Sequence, residues 1–496
     1  MAGRNGGLSA NAASFRRHTR GSHEVRRNDC RLPAEGGTFL LTAMSGFAPA
    51  VAPRRTREKG VLIVVSFLLM SGCLEMDPAP QNPVRELAPE LADAGTTVHR
   101  ALARAEAYRL QILVSEVVEP PAGRPRLRRW GFRTGAEYFY PASSIKLCAA
   151  VSALQEIERL EQEHGITGLV DAPLEIAPLF PGDALQSEDP GHLAHGRITV
   201  AHEIRKLALV SDNQAFNRLF DLVGHERLNR SMHALGLPSV VIQHRLSDPR
   251  DIPDPKASAA MVFHLPEGPA GHRPGIRSVT IPPRTSRWSP TNSGTGLRVG
   301  TAYLRTRRVP AGGTAIPGPR PDPADPEPTF ERVPQPMDFT TRNGISLLDL
   351  QHLLVKLVRP DIPLPGARLD LSEDHRRLLI DALTRYPRES SDPRYSPAEY
   401  PDEYCKFLLP GVRRVLPDTE PGRRVEITGK IGRAYGFTIE NSCLRNPTNG
   451  RTVFVTVAIH TNDDGVLNDD RYEYGTVADP FMADLGEWVA RRWLQR

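Results

Sequence analysis

In "YPASSIKLCAA" (140–150) a serine, Ser143, is followed three residues later by a lysine, Lys146. That pairing could do nucleophilic chemistry. A serine hydroxyl is a weak nucleophile until a base removes its proton. A lysine serves as that base only when burial or nearby positive charge lowers its pKa, because an ammonium has no lone pair. The apolar residues around Lys146, Ile145 and "LCAAV", favour such desolvation. Residues three apart on a helix share a face, with Cβ atoms about 5–6 Å apart. A helix start also offers free N–H groups and partial positive charge, which suit a developing oxyanion. Alone, the spacing is weak evidence, since about two chance matches are expected in a chain this long.

Two further stretches carry reactive side chains. "LVSDNQAFNRLF" sets Ser211, Asp212 and Asn213 at the junction of two helical segments. A given tripeptide arises by chance in roughly one chain of this size in ten. All three residues also cap helices well, which is the competing reading. "ITGKIGRAYGF" places Lys430 and Gly432 on a strand, where a glycine suggests close approach of a ligand or another backbone.

In this order, on a helix start, a helix junction and a strand, the three stretches resemble the serine β-lactamase and penicillin-binding protein superfamily. Within it they are most similar to the class A β-lactamases. The resemblance covers roughly residues 89–496. It implies that Ser143 is acylated, that Lys146 helps remove its proton, and that Ser211 passes a proton to the leaving nitrogen. It further implies that Asn213 holds the substrate and Lys146, and that Lys430, next to Gly432, attracts a substrate carboxylate and tunes Ser211. The backbone N–H groups of Ser143 and Arg433 would form the oxyanion hole. The implied substrate is a β-lactam or a peptidoglycan-peptide-like small molecule, and no cofactor is implied.

Two departures from the family pattern matter. Ile431 stands where the third motif has a hydroxyl residue, which removes a hydrogen bond worth about 0.5–1.5 kcal/mol. The family also carries a glutamate, on a loop after the second motif, that activates the deacylating water. In "VIQHRLSDPRDIP" the matching Arg-Leu falls on Arg245 and Leu246, and the glutamate's place falls near Arg250. Asp251 is the substitute expected from this count, with Asp248 and Asp254 nearby; the competing reading is three solvated loop carboxylates. With a working base the protein turns over β-lactams. Without one it behaves as a penicillin-binding peptidase or esterase, or as a degenerate envelope binding module.

Elements that would position these residues follow from periodicity. Residues 85–107 have helical apolar spacing, and 108–118 with 126–140 read as a hairpin. Helices are expected over 143–162, from Thr199 as N-cap, and over "NQAFNRLFDLVG", ended by Gly224. Residues 248–340 carry Pro and Gly too densely for regular core elements and read as an excursion. Helices return at 346–358, with Ser346 and Asp349 as a capping box, and at 372–386. "RVEITGKIG", "AYGFTIENSCL" and "TVFVTVAIHT" read as strands before a closing helix. The expected fold class is α+β: an antiparallel sheet built from both chain ends, packed against a mostly helical subdomain.

The chain has 496 residues, an apolar fraction of 40%, 46 prolines, 40 glycines and a net charge of +5. That supports a real core with much loop, and without a basic, aromatic-rich stripe it argues against nucleic-acid binding. A basic patch, about ten apolar residues and "SGC" at 54–73 fit a secretory signal of lipoprotein type, with Cys73 acylated as the first mature residue. A plain signal or hydrophobic anchor is the alternative. Met44 is a workable start, which leaves 1–43 untranslated; residues 74–88 read as a tether and 89–496 as the catalytic domain. A lipid-anchored, exported monomer is expected. None of the five cysteines forms a CxxC pair, although Cys405 and Cys443 could be bridged in an oxidising compartment. His192 and His195 join no His-x-His-x-Asp cluster, and the aspartates of 460–475 read as a solvated turn, so no metal is expected.

Overall fold

The computed structural model describes residues 83–248, 250, 252–265, 276–306, 330–418, 422 and 424–495. Asp251 and Cys73 lie outside the described residues. So do the signal and most of the tether. The chain opens with β1 (Val84–Glu86), α1 (Thr96–Ala103), β2 (Gln111–Val118) and β3 (Arg126–Phe132). A 3-10 turn over Ala142–Ile145 leads into α2 (Lys146–His164), then β4 (Leu174–Ile176), α3 (Val200–Leu209), α4 (Asn213–Val223) and α5 (His225–Ala234). Six short strands follow: β5 (Met261–His264), β6 (Ser278–Ile281), β7 (Arg298–Val299), β8 (Ala302–Thr306), β9 (Phe330–Val333) and β10 (Met337–Asp338). Then come α6 (Leu347–Val358), α7 (Glu373–Thr384) and α8 (Leu409–Val415). The chain closes with β11 (Glu426–Gly429), β12 (Gly432–Ala434), β13 (Phe437–Arg445), β14 (Thr452–His460), β15 (Val466–Leu467) and α9 (Asp479–Val489).

The main sheet runs β1-β3-β2-β14-β13-β11, with β12 also on β13. Every pairing in it is antiparallel except β1 with β3. Both chain ends therefore build one sheet, as the α+β expectation required. Alternation along each strand sorts side chains into two cores. Ile112, Val114, Val453, Val455 and Val457 join Phe481, Leu485 and Trp488 of α9 on one face. Leu113, Phe437, Ile439 and Phe454 face the other way and join the helical region, including α2 and α6. Polar residues on this second face are matched to α6. Ser115 donates to Gln351 (2.6 Å), Gln351 to Thr456 (3.1 Å), and Thr456 to Asn441 (2.8 Å).

Four expectations are corrected. Residues 85–107 are not one helix but a strand, a 3-10 turn and α1, because Pro89 and Gly95 interrupt the periodicity. The stretch 248–340 is not devoid of regular elements: β5 and β6 extend β4, β7 pairs with β10, and β8 pairs with β9 and β15. Proline and glycine density there limits strand length and does not prevent pairing. The capping box at Ser346 is only half formed. Ser346 accepts from Asp349 N (3.1 Å), but the Asp349 carboxylate is taken by Ser239, which also accepts from Ser346 N. Cys405 and Cys443 are separate free thiols, both buried, as is Cys148. The aspartates of 464–470 cap their own turns, with Asp464 accepting from Val466 N and Asp469 from Arg471 N. Among the described residues no helix is long and apolar enough to cross a membrane.

Candidate active site

Ser143 sits in the 3-10 turn just before α2, where side chains three apart eclipse one another. Lys146, the first residue of α2, therefore follows it on the same side. Ala142, immediately before the serine, has φ +48°, a left-handed conformation that a side chain opposes. The turn is held by its neighbours. Ser144 N and Oγ both donate to Pro141 O, at 3.0 and 2.7 Å.

β12 presses directly on this turn. A Cβ added to Gly432 would lie 2.4 Å from Pro141 O, 2.8 Å from Ser144 N and 2.9 Å from Ser143 N. The glycine in "KIG" is thus a place where two backbones meet, as a strand glycine suggests. It brings the Arg433 backbone beside the serine turn. The Arg433 side chain points elsewhere: it pairs with Asp479 and lies over the rings of Phe407 (4.4 Å) and Tyr474 (4.7 Å).

Ser211 follows the end of α3 by two residues, and its φ of +59° marks a second strained residue. Thr199 caps the start of α3, accepting from His202 N at 3.2 Å. Asp212 is the cap of α4, accepting from Ala215 N at 2.7 Å, which frees its neighbours for other bonds. The "SDN" run thus divides its labour: one residue caps, and the other two face the lysines. Lys146 Nζ donates to Asn213 Oδ1 (2.6 Å), Asp212 O (3.2 Å), Ser211 O, and more weakly Ser211 Oγ (3.3 Å). Lys430 Nζ donates to Ser211 Oγ at 2.8 Å and to Ile431 O at 3.1 Å. Ser143 Oγ is not among the partners of Lys146 Nζ in the described structure; such bonds often tighten only with substrate bound.

Both lysines are fully buried. Burial pushes the Lys146 ammonium well below its ordinary range, the charge of Lys430 adds to this, and Asp212 opposes it. Burial also lowers Lys430, to about 8, against the opposing influence of Cys405 and Glu440. Ile431 is buried and brings no hydroxyl here.

The loop after α5 is anchored at both ends. Arg245 pairs with buried Asp221 and donates to Pro255 O (3.0 Å) and Ala257 O (2.6 Å). Leu246 and Asn217 exchange two hydrogen bonds. Asp248 is held by Arg250, and Asp254 accepts from Lys256 N and Thr285 Oγ1. Neither carboxylate is directed at the lysines.

Three neighbours escaped sequence reasoning. Cys405 lies close enough to Lys146 and Lys430 for them to pull its thiol down against the larger upward push of burial. Glu440 of β13 is buried near Lys430 and Lys406, and its carboxyl rises to about 7 mainly through burial. Tyr395 sits within electrostatic reach of Asp212. None carries a local signal: Cys405 and Tyr395 stand far along the chain from Lys146 and Asp212, and Glu440 comes near Lys430 and Lys406 only through strand pairing and packing.

Residues 131–268 match the model of the Beta-lactamase2 family, described as a beta-lactamase enzyme family. The matched segment holds Ser143, Lys146, Ser211 and Asn213 and supports a serine β-lactamase-like relationship. Among solved structures, the chain is similar to a beta-lactamase from Desulfarculus baarsii, at 19% identity and TM-score 0.38, over 80% of this chain and 98% of that one. A beta-lactamase from Sphaerobacter thermophilus gives 15%, 0.37, 80% and 96%. PBP-A, solved as an acyl-enzyme with penicillin G, gives 13%, 0.40, 80% and 94%. No curated protein matches.

Proposed function

We propose that the protein is a serine hydrolase of the class A β-lactamase type, opening β-lactam rings through an acyl-enzyme on Ser143. The observation that carries this reading is the buried Lys146 Nζ, one turn from Ser143 and held between Ser211 and Asn213 beside a second buried lysine. A lysine so placed loses its proton at a pH where an ordinary lysine keeps it. As a neutral amine it takes the Ser143 Oγ proton while Oγ bonds to the lactam carbonyl carbon. The oxyanion is held by the backbone N–H groups of Ser143 and Arg433. When the carbon–nitrogen bond breaks, Ser211 Oγ gives its proton to the leaving nitrogen and regains one through its contacts with Lys146 and Lys430. Lys430 also supplies charge for a substrate carboxylate.

Release of the acyl group requires a base for water. Asp251 is the residue proposed for it. A second reading, slow release in a penicillin-binding peptidase or esterase, is favoured by one observation: Asp248 and Asp254 are engaged with other partners. Export and lipid attachment at Cys73 complete the proposal and place the reaction at the cell envelope.

The test is to incubate the full chain with a fluorescent penicillin and follow intact mass over time. A transient adduct on Ser143 with nitrocefin turnover is expected. A lasting adduct transfers the protein to the second reading. Folded protein with no adduct would overturn both and leave a binding module. Lys146→Ala is expected to abolish acylation while retaining the fold.

A further inference from the structure

Away from Ser143, one buried cluster has no role in the reaction above. His202 of α3 is completely buried, and neither of its ring nitrogens has a hydrogen-bond partner. His192 is buried too, with Nδ1 unpartnered. The two rings stack at 4.5 Å, and exposed His195 stacks on the other side of His192 at 4.0 Å. Unpaired buried polar atoms cost about 1–3 kcal/mol each, so several in one place call for a partner.

Both rings face Asp392. Its Oδ2 is 3.3 Å from His192 Nδ1, and its Oδ1 is 3.7 Å from His202 Nδ1. One ligand atom from each of the three residues lies within 4.8 Å of the other two. Donors bound tetrahedrally to zinc at about 2.0–2.2 Å stand roughly 3.3–3.6 Å from one another. The two carboxylate–histidine distances are therefore near those around a shared ion, and the one to His202 is too long for a hydrogen bond.

The charge balance points the same way. On the far side of His202, Asp189 is compensated by Lys206 (2.5 Å) and Arg218 (3.1 Å), and Glu203 by Arg218 (3.0 Å). That side needs no further cation. Asp392, in contrast, pairs with no lysine or arginine among the described residues and otherwise accepts only from Leu193 N (2.8 Å).

We propose a zinc site formed by His192 Nδ1, His202 Nδ1 and the Asp392 carboxylate, with the fourth position open to water. Asp189 Oδ1 lies 3.8 Å from His202 Nε2, on the far side of that ring from the proposed ion. The ion joins α3, which ends at Leu209 two residues before Ser211, to the segment that carries Asp392, Tyr395 and Cys405. It is thus a staple beside the segment that carries Ser211, and it does not depend on the reaction assigned to Ser143. It revises the expectation of no metal.

The experiment uses the untagged full chain, stripped with a chelator and titrated with zinc against a chromogenic competitor, with cobalt substitution read by visible absorption. One zinc per chain is expected, with a rise in Tm and a tetrahedral cobalt spectrum. Asp392→Asn alters a partly exposed ligand and is expected to fold. It should weaken zinc binding by more than about 100-fold, beyond the 10–100-fold that outer-shell partners are worth. His202→Gln should do the same. Folded wild-type chain that binds no zinc, or Asp392→Asn that binds as tightly as wild type, would overturn the site.

Discussion

Two buried lysines share one serine hydroxyl, and their charges compete. Lys146 must lose its proton to act as a base, while Lys430 must keep its own to attract a carboxylate. Burial depresses both, but Lys146 also feels Lys430, so Lys146 gives up its proton first. The rate of acylation by a penicillin is therefore expected to rise with pH through a point well below the ordinary lysine range. It should fall again near 8, where Lys430 becomes neutral. Stopped-flow acylation rates from pH 5 to 10 would show this bell. A profile that climbs without a descending limb would remove the charged role of Lys430. At this scale the sequence was informative for Ser143, Lys146, Ser211, Asn213 and Lys430, because each stands in a short run with its own local geometry. It was silent on Cys405 and Glu440, which come near the lysines only through folding, and on Tyr395, which comes within electrostatic reach of Asp212 in the same way.

At the scale of elements, the serine turn depends on a strand from the opposite end of the chain. Gly432 leaves no room for a methyl group between β12 and the Pro141–Ser144 backbone. Gly432→Ala must push the two apart, and the obstacles are backbone atoms that cannot rotate away. A shift of the order of 1 Å between nucleophile and oxyanion donors costs about 100-fold in rate. Acylation of Gly432→Ala is expected to slow by that order with little change in α-helical circular dichroism; an unaltered rate would show that β12 does not set the serine's position. Helix boundaries were legible where a cap is local. Thr199, Ser346 and Ser372 each accept from a backbone N–H three residues on, and Gly224 takes a positive φ where α4 ends. The capping box, though not the boundary, was misjudged where a distant partner intervenes: Ser239 takes the Asp349 carboxylate.

Across the whole molecule, the sheet buries a set of ionisable groups between its inner face and the segment that precedes β11. Glu440 is held at about 7 instead of its ordinary 4.5, and Lys406 and Lys430 at about 8 instead of 10.5. The raised carboxyl binds its proton more tightly in the folded state. Its stabilising contribution is complete below about 4.5 and is lost as pH rises to about 7. The depressed lysines work in the opposite sense. Between about 8 and 10.5 the unfolded chain binds more protons, so stability climbs with pH. This cluster alone gives a stability minimum between about 7 and 8. Urea unfolding across pH 4–10 should show it, and Glu440→Gln should flatten the descending limb. The same slope in wild type and variant would refute the assignment.

The sequence by itself determined the α+β class, the longer helices and the central strands of the main sheet, and the spacing that sets a serine and a lysine on one side of a helix start. Those properties follow from interactions a few residues long: periodicity, caps and turn chemistry. Only the tertiary structure decided that Lys430 meets Ser211, that Gly432 abuts the serine turn, that Cys405 and Cys443 stay apart, and that Asp392 comes to His192 and His202. Each of these joins residues whose positions are set by packing across the sheet and between helices. Burial, which makes the lysines acidic and leaves the histidines unpartnered, is a property of that packing and has no local spelling in the chain.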